Sequence, residues 1–579
     1  MSKIFSIRIG GMAGDGISSL GEMVSKVAIR SSLYVNTYNS YQSVIRGGHV
    51  WYQIRISDVP LKSYGDSIDL LVCMDRDTYN YHVPYLNDNG KIIIDPTKME
   101  GIVNNKIISL PMLDIARKFS DKAILQNIVA FGFISAIIGA SWGVIENVIK
   151  ENFGNKGDKI VSENLNASKA GFDEVHHYNM ETVFSNVKPN KIYMMSGNEA
   201  IAFGALSANC KFLAQYPMTP ATSILHWLAE HSEEAGIMVK QTEDELSAIN
   251  MAIGASYAGA RAMVGTSGGG FSLMVEALGL ASMIEVPLVI VDSQRTGPST
   301  GLPTKTEQGD LNMLVGASQG DSPRIVLAPG SVEEAFYLTR EAFNLADKYQ
   351  MPVIIAADLS LSERYESINK LNLQANIDRG LIAQENAPDY KRYEYTDTGI
   401  SYRAFPGMKG DEYVASSDEH DEYGRLVSDV LAGIPYGIEK RVSSMEKRMR
   451  KLEHFKGTIN YNIFKEGHKT SNLIVSWGST QGVIREAIEE ISKGGLYFDH
   501  LHMTVVWPIN GEKLKEIFSH YENILIIEMN FSSQLGRIIT SETGYVFKHR
   551  MLKYDGEPLY TKEVVRFIKK NVSIFKKGD

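Results

Sequence analysis

The sequence predicts an α/β protein made of three αβ domains in series, on three observations. Short apolar runs rich in β-branched residues alternate with helical periodicities, glycine or proline turns separate them, and two polar, strand-poor stretches divide them into three groups. At 579 residues the chain exceeds what one hydrophobic core supports. With 44% hydrophobic and 22% charged residues it has a globular composition, which argues against disorder, fibrous repeats or a membrane protein.

The first series opens with IFSIRIGG as a strand, a glycine turn, ISSLGEMVSKVAIRS as a helix and LYVNTY as a second strand. Further strand runs at LLVCMD, KIIIDP and IISLPM imply a mostly parallel sheet covered on both faces. The stretch 123–140 is apolar, but Gln126 and Asn127 interrupt it and a spanning helix needs about 20 residues. It reads as a buried core helix, and no membrane partner is expected. Residues 152–190 turn polar, so the first domain is placed at 1–185.

A second series begins at IYMMSGNEA, with strand runs FLAQYP, RAMVGTS, VPLVIVDSQ, PRIVLAPG and PVIIAADLS between helices, and gives a domain over 190–365. Residues 366–460 read as a connector that wraps the domains and ends in KRVSSMEKRMRKLEHF, an exposed linking helix. NLIVSWGST, YFDHLHMTVVWP and NILIIEMN then form a third, smaller αβ domain over 461–579.

A formal charge of -9 would repel a polyphosphate backbone, so nucleic acid is not expected as a partner. The two cysteines, Cys73 and Cys210, cannot build a disulfide framework, which fits a reducing, cytoplasmic location, as does an N-terminus that enters a strand pattern without a basic-then-apolar leader. An iron–sulfur cluster normally takes four thiolates, so any such cluster must sit on another chain.

Several segments invite chemistry. Gly10–Gly16 lies between strand and helix, where backbone N–H groups hold anions, but its glycine spacing runs opposite to a dinucleotide fingerprint and NTYNSYQ lacks the ribose acid. A nicotinamide dehydrogenase is therefore disfavoured, and a plain packing turn fits equally. Gly14-Asp15-Gly16 also begins like the metal and diphosphate motif of thiamine enzymes, without the asparagine pair that should follow. Arg46-Gly47-Gly48-His49 is open to an anion or to neighbouring carbonyls. Gly268-Gly269-Gly270 suits cofactor approach and close packing alike and stays unassigned. His420, with Asp418 and Glu422, matches no ligand spacing and reads as a hydrated acidic loop, so no metal is assigned to this chain.

The segment AQYPMTPATSILHWLAE, 214–230, ends a strand in Tyr216-Pro217-Met218-Thr219-Pro220 and starts a helix. Two prolines fix the backbone around one hydroxyl, beside helix N–H groups at the carboxyl edge of a parallel sheet, where αβ folds bind ligands. Taken alone, it reads better as an ordinary proline-flanked helix start.

This pentapeptide resembles the Tyr-Pro-Ile-Thr-Pro signature of the 2-oxoacid:ferredoxin oxidoreductases, with Met218 in place of isoleucine. SGNEAIAFGAL, QTEDELSAINMAIGASYAGARAM, TSGGGFSLMVEALGLASMIEVPLVIVDSQRTGPSTGLPTKTEQGDL, YRAFPGMKG and SWGSTQG are similar to the same family, so the resemblance covers nearly the whole chain. It implies a gamma-like αβ domain fused before an alpha part, which comprises the pyrimidine-binding domain of thiamine enzymes and a transketolase C-terminal-like domain, as in 2-oxoglutarate synthase-like members.

The resemblance places Glu245 as the activating carboxylate, Tyr216 and Pro217 beside the cofactor, and Thr219, Arg295 and Thr304 on the substrate side. A carboxyl bonded to the aminopyrimidine ring nitrogen favours the tautomer that takes up the thiazolium proton, and such a group should be buried. Thr242-x-x-Glu245 is also a capping-box spacing, with Glu243 and Asp244 as solvated first-turn acids. An arginine fork suits a carboxylate, although Arg295 alone fits a surface loop.

The implied reaction converts a 2-oxoacid and coenzyme A to acyl-CoA, carbon dioxide and two electrons for ferredoxin. The implied assembly pairs the chain with a beta subunit, as αβ or (αβ)2, that shares the thiamine diphosphate and carries Mg²⁺ and a [4Fe-4S] cluster. Arg295, Thr304 and Lys305 make 2-oxoglutarate the first expectation, because its distal carboxylate needs a second grip; pyruvate, a broad-specificity enzyme and a non-catalytic assembly subunit are the alternatives.

Overall fold

The computed structural model describes residues 3–40, 47–427 and 435–575, so Arg46 lies outside the described residues. The chain divides into two compact units, Met1–Ser196 with Glu363–Leu371, and Gly197–Ser362 with Asn372–Asp579.

The first unit holds an eight-stranded sheet in the order Ile107–Ser109, Leu86–Ile94, Ile68–Cys73, Ile4–Met12, His49–Ser57, Tyr34–Ser40, Tyr365–Ile368, Tyr193–Ser196. The first four strands pair in parallel and the rest antiparallel, so the sheet is mixed and not mostly parallel as the strand runs imply. The difference comes from His49–Ser57, buried at nearly every position and therefore without the alternation that marks a half-exposed strand. It inserts between Ile4–Met12 and Tyr34–Ser40, so the strands of the opening β-α-β are not neighbours. The strand Tyr193–Ser196, which the sequence suggests as the start of the second series, closes this same sheet.

The apolar stretch at 123–140 becomes the helix Gln126–Ile138, buried along its whole length. It crosses the helix Asp158–Glu174 at two glycines: a methyl on Gly132 would lie 1.9 Å from Ser168 O, and one on Gly171 would lie 2.0 Å from Val129 O. Asn127, the polar interruption, donates Nδ2 to Asp15 O at 2.6 Å and so ties this helix to the Gly10–Gly16 turn. No helix among the described residues is long and apolar enough to cross a membrane.

The second unit holds two sheets. The larger runs Val505–Trp507, Ile325–Leu327, Pro352–Asp358, Leu288–Gln294, Ala262–Thr266, Phe212–Gln215, Met238–Gln241, parallel throughout except at Val505–Trp507. The smaller runs Ile463–Phe464, Asp499–Met503, Asn472–Trp477, Asn523–Glu528, His549–Leu552, parallel apart from its first pair. YFDHLHMTVVWP, which reads as one strand of the third domain, is thus divided: Asp499–Met503 stays there and Val505–Trp507 joins the larger sheet.

The helix Pro435–Thr458 corrects a second expectation, because it is not simply an exposed linker. Lys447 and Lys451, four residues apart on one face, are buried, and both donate Nζ to Glu285 Oε2. Burial alone would raise the Glu285 carboxyl, but Lys447, Lys451 and Arg392 hold it well below the ordinary carboxylate range. Arg392 completes the cluster by donating Nη2 to Glu285 O at 2.7 Å. Charged residues that look solvated in the sequence therefore form the internal fastening of this helix.

Glu285→Gln should lower the unfolding free energy by about 3–5 kcal/mol, because it leaves buried cations without their anion. Lys451→Met should cost much less, since Lys447 still answers Glu285. Denaturant unfolding of the two variants checks this, and equal losses would refute the central role of Glu285.

Candidate active site at the carboxyl edge of the larger sheet

Parallel strands deliver their following loops to one edge. From Phe212–Gln215 the chain steps outward to Met238–Gln241 and then returns to the other side at Ala262–Thr266, so strand order reverses around Phe212–Gln215. A crevice outside the carboxyl ends of strands at such a reversal is where open αβ sheets bind ligands.

Three loops meet there. The first is Tyr216–Pro220, closed by Gln215 Nε2 donating to Ala221 O at 2.8 Å and by Asn198 Nδ2 donating to Pro220 O at 2.7 Å. Tyr216 is exposed, while Pro217, Met218 and Thr219 are half-buried. The second is Gly268–Gly270, after Ala262–Thr266. The third leaves Leu288–Gln294 at Arg295, whose Nη1 donates to Thr219 O at 2.7 Å. Thr219 and Arg295, 76 residues apart, are thereby brought together.

Glu245 is the first residue of the helix Glu245–Tyr257 and is 4% exposed. The capping-box alternative fails on geometry. The N-cap is Asp244, whose Oδ1 accepts from Ser247 N at 2.7 Å, and Thr242 Oγ1 donates to Asp244 O instead. Asp244 is thus a cap and not a merely solvated acid; the bond from Ser247 N–H lowers its carboxyl pKa. With the cap filled, Glu245 has no such duty, and its Oε1 is buried with no hydrogen-bond partner. An orphaned buried oxygen costs about 1–3 kcal/mol, which is sustained where a ligand supplies the missing donor.

Gly270 makes room for this carboxyl. A methyl there would lie 2.6 Å from Glu245 Oε1 and 2.2 Å from Thr266 Oγ1. Thr266 in turn lies 4.0 Å from Met218 Sδ. The unassigned glycine run is therefore the surface on which Glu245, Thr266 and the Tyr216–Pro220 loop converge.

The loop after Arg295 is closed by Thr296 N donating to Lys305 O at 2.9 Å and carries Thr304. It is fastened to the smaller sheet's loops. Thr306 N donates to Gly556 O, Gln308 N donates to Met529 O, and Gln308 Oε1 accepts from Met529 N. Lys305 is ion-paired with Glu557, which engages the side chain that the sequence offers as a second carboxylate grip.

Sequence reasoning missed three acids beside these loops, Asp292, Glu307 and Asp310. Their signal was a lone ionisable residue in a strand buried at all seven positions, followed by two acids in TEQGDL. Burial, and then the negative charge of Asp310, pushes Glu307 up to about 7. His420 is also not hydrated. It is buried, its Nδ1 meets Asp418 O at 3.0 Å, and its ring lies 4.0 Å from Tyr393. Glu422 pairs with Lys440.

Residues 203–434 match the family model "Pyruvate flavodoxin/ferredoxin oxidoreductase, thiamine diP-bdg", and residues 6–174 match "Pyruvate ferredoxin/flavodoxin oxidoreductase". The chain is 31% identical to the 2-oxoacid:ferredoxin oxidoreductase subunit alpha of Saccharolobus solfataricus, over 99% of this chain and 98% of that one. It is 29% identical to the 2-oxoglutarate oxidoreductase subunit KorA of Mycobacterium tuberculosis, over 97% and 91%. Its fold is similar to that of 2-oxoglutarate:ferredoxin oxidoreductase from Magnetococcus marinus, solved with 2-oxoglutarate, coenzyme A and succinyl-CoA bound: TM-score 0.90, 30% identity, covering 98% of this chain and 100% of that chain. The residues present fit the aminopyrimidine end of thiamine diphosphate, because Glu245 Oε1 is buried and lacks a donor at the Gly268–Gly270 turn.

Gly270→Ala should lower stability by about 1–3 kcal/mol through overpacking against Glu245 and Thr266. Gly269→Ala, where a methyl meets nothing within 4 Å, should not. Thermal or denaturant melts of the pair check this, and equal behaviour would sink the proposed crowding at Gly270.

Proposed function

Because the chain belongs to the 2-oxoacid:ferredoxin oxidoreductases, we propose that it is the alpha subunit, active only with a beta subunit, of an enzyme that oxidatively decarboxylates 2-oxoglutarate with coenzyme A. The products are succinyl-CoA, carbon dioxide and two electrons passed to ferredoxin. The observation that carries this reading is the buried, donor-less Glu245 Oε1 beside Gly270, one loop away from the joined Thr219 and Arg295.

When bound, thiamine diphosphate supplies the carbanion stabilisation that decarboxylation of a 2-oxoacid requires. Glu245 Oε1 would accept the missing hydrogen bond from the aminopyrimidine end of the cofactor, and burial would keep water from competing for it. Tyr216 and Pro217 line the cofactor side of the same loop that carries Thr219. The bond from Arg295 Nη1 to Thr219 O ties the guanidinium to this loop, where its planar fork suits a substrate carboxylate. Thr219 and Thr304 orient the substrate through their hydroxyls. Mg²⁺, the diphosphate contacts and a [4Fe-4S] cluster belong to the beta subunit in this reading; the two cysteines of this chain, both buried, support that division. The reading also assigns a gamma-like domain to 1–185, the pyrimidine-binding domain to 190–365, a connector to 366–460, a transketolase C-terminal-like domain to 461–579, and a cytoplasmic location.

One observation favours a second reading. With Lys305 paired to Glu557, the distal carboxylate of 2-oxoglutarate loses one of its expected partners, which suits pyruvate or a broad-specificity enzyme. Anaerobic co-expression with the beta subunit, followed by coenzyme A-dependent dye reduction on each oxoacid, separates the two. Glu245→Gln should reduce turnover by about 10²–10⁴-fold. Arg295→Lys should raise KM by roughly tenfold or more. Undiminished turnover in Glu245→Gln would instead leave a non-catalytic assembly role.

A further inference from the structure

On either side of the Arg295 loop lie two acids, Asp292 buried and Asp310 half-buried. Asp292 has no accessible surface, and neither of its carboxyl oxygens meets a protein donor; the same holds for Asp310 Oδ2. Asp310 N–H bonds to the side chain of Gln294, which lies two residues from Asp292 on the same strand and so on the same face, and this brings the two acids to one place. Two carboxylates so placed repel each other, and a proton shared between them satisfies oxygens that no protein donor reaches.

The position of the pair is set by backbone geometry. Asp310 precedes the helix Leu311–Gly316, and its N–H donates to Gln294 Oε1 at 3.0 Å. Its carboxyl rests on Gly268, where a methyl would lie 2.3 Å from Oδ2. Asp292 is in register with Thr266 on the neighbouring strand, and residues in register point to the same face. Thr266 meets Gly270 beside Glu245. The groups that face the pair are therefore Arg295, whose positive charge acts on Asp310, Glu307, which feels the charge of Asp310, and Glu245 across the glycine turn.

We propose that Asp292 and Asp310 form a proton-sharing carboxyl pair that acts as a positioning element for Arg295, so that binding of an anionic substrate at Arg295 is coupled to proton uptake by the pair. Asp292 carries the shared proton, because burial and the adjacent carboxylate both raise it. Burial lifts Asp310 to about 6, while the bond from Asp292 and the charge of Arg295 pull it back. Below that pH the pair is neutral and does not compete with an oxoacid carboxylate for Arg295. Above it, one negative charge competes for the guanidinium. The pair is independent of the proposed function; its coupling to an oxoacid rests on that reading.

Infrared difference spectra of the full chain test the pair without any turnover. At pH 8 the wild type should show the carbonyl band of a buried protonated carboxyl, and Asp292→Asn should lack it. A wild type without that band, or a variant that keeps it, overturns the proposal. Stability offers a second readout. With its folded pKa raised, Asp292 contributes stability that is full below about pH 4 and is lost as pH rises towards the folded value. Asp292→Asn should therefore gain on the wild type between pH 5 and pH 8, and a constant difference contradicts the assignment. In the αβ enzyme, KM for the oxoacid should rise by about three- to tenfold from pH 5.5 to pH 7.5. Asp310→Asn should flatten this rise, and an unchanged profile in that variant overturns the coupling. Absence of oxoacid turnover in the wild type refutes the proposed function, while the infrared and stability results still decide the pair.

Discussion

Glu245 is a buried carboxyl whose half-buried neighbour, Asp244, already caps the helix that carries it. The rest of the site follows from accommodating that carboxyl. Gly270 must be a glycine because the side chains of Glu245 and Thr266 occupy the volume a methyl would need, and the strand order must reverse at Phe212–Gln215 so that the Tyr216–Pro220 loop and the glycine turn reach one crevice. A hydrogen-bonding deficit inside the fold is thus the mark of where a ligand belongs.

The loop that carries Arg295 and Thr304 owes its shape to the chain's last sheet. Gln308 exchanges two hydrogen bonds with Met529, Thr306 bonds to Gly556, and Val505–Trp507 adds an edge strand to the larger sheet. The smaller sheet's loops therefore clamp the loop that carries Arg295 and Thr304. Because backbone groups make most of these contacts, the clamp tolerates side-chain change on the loop while holding its path.

Charge is managed inside the second unit as closely as shape is. Glu285 with Lys447, Lys451 and Arg392 fastens the helix Pro435–Thr458, and Asp347 does similar work for Arg261, Arg379 and Arg403. Each anion serves several cations, so a positive helix face is buried at the cost of few carboxylates. This arrangement is brittle toward loss of the anion and forgiving toward loss of one cation.

By itself the sequence determined the α/β class, the central strands and the motif residues. FLAQYP, RAMVGTS, VPLVIVDSQ, PRIVLAPG and PVIIAADLS are strands because buried parallel strands read as continuous apolar runs, and Thr219, Glu245 and Arg295 were visible as hydroxyl, acid and fork at strand ends. Met238–Gln241, an exposed polar edge strand, gave no such signal. The tertiary structure alone decided that His49–Ser57 interrupts the opening β-α-β, that Asp244 and not Thr242 caps the helix, that Lys305 is taken by Glu557, and that Asp292 is buried without a protein donor. The reason is physical. Periodicity and turn chemistry are local and are written in neighbouring residues, whereas which carboxyl keeps its solvent, its cation or its proton depends on distances between side chains that only the packed chain brings together.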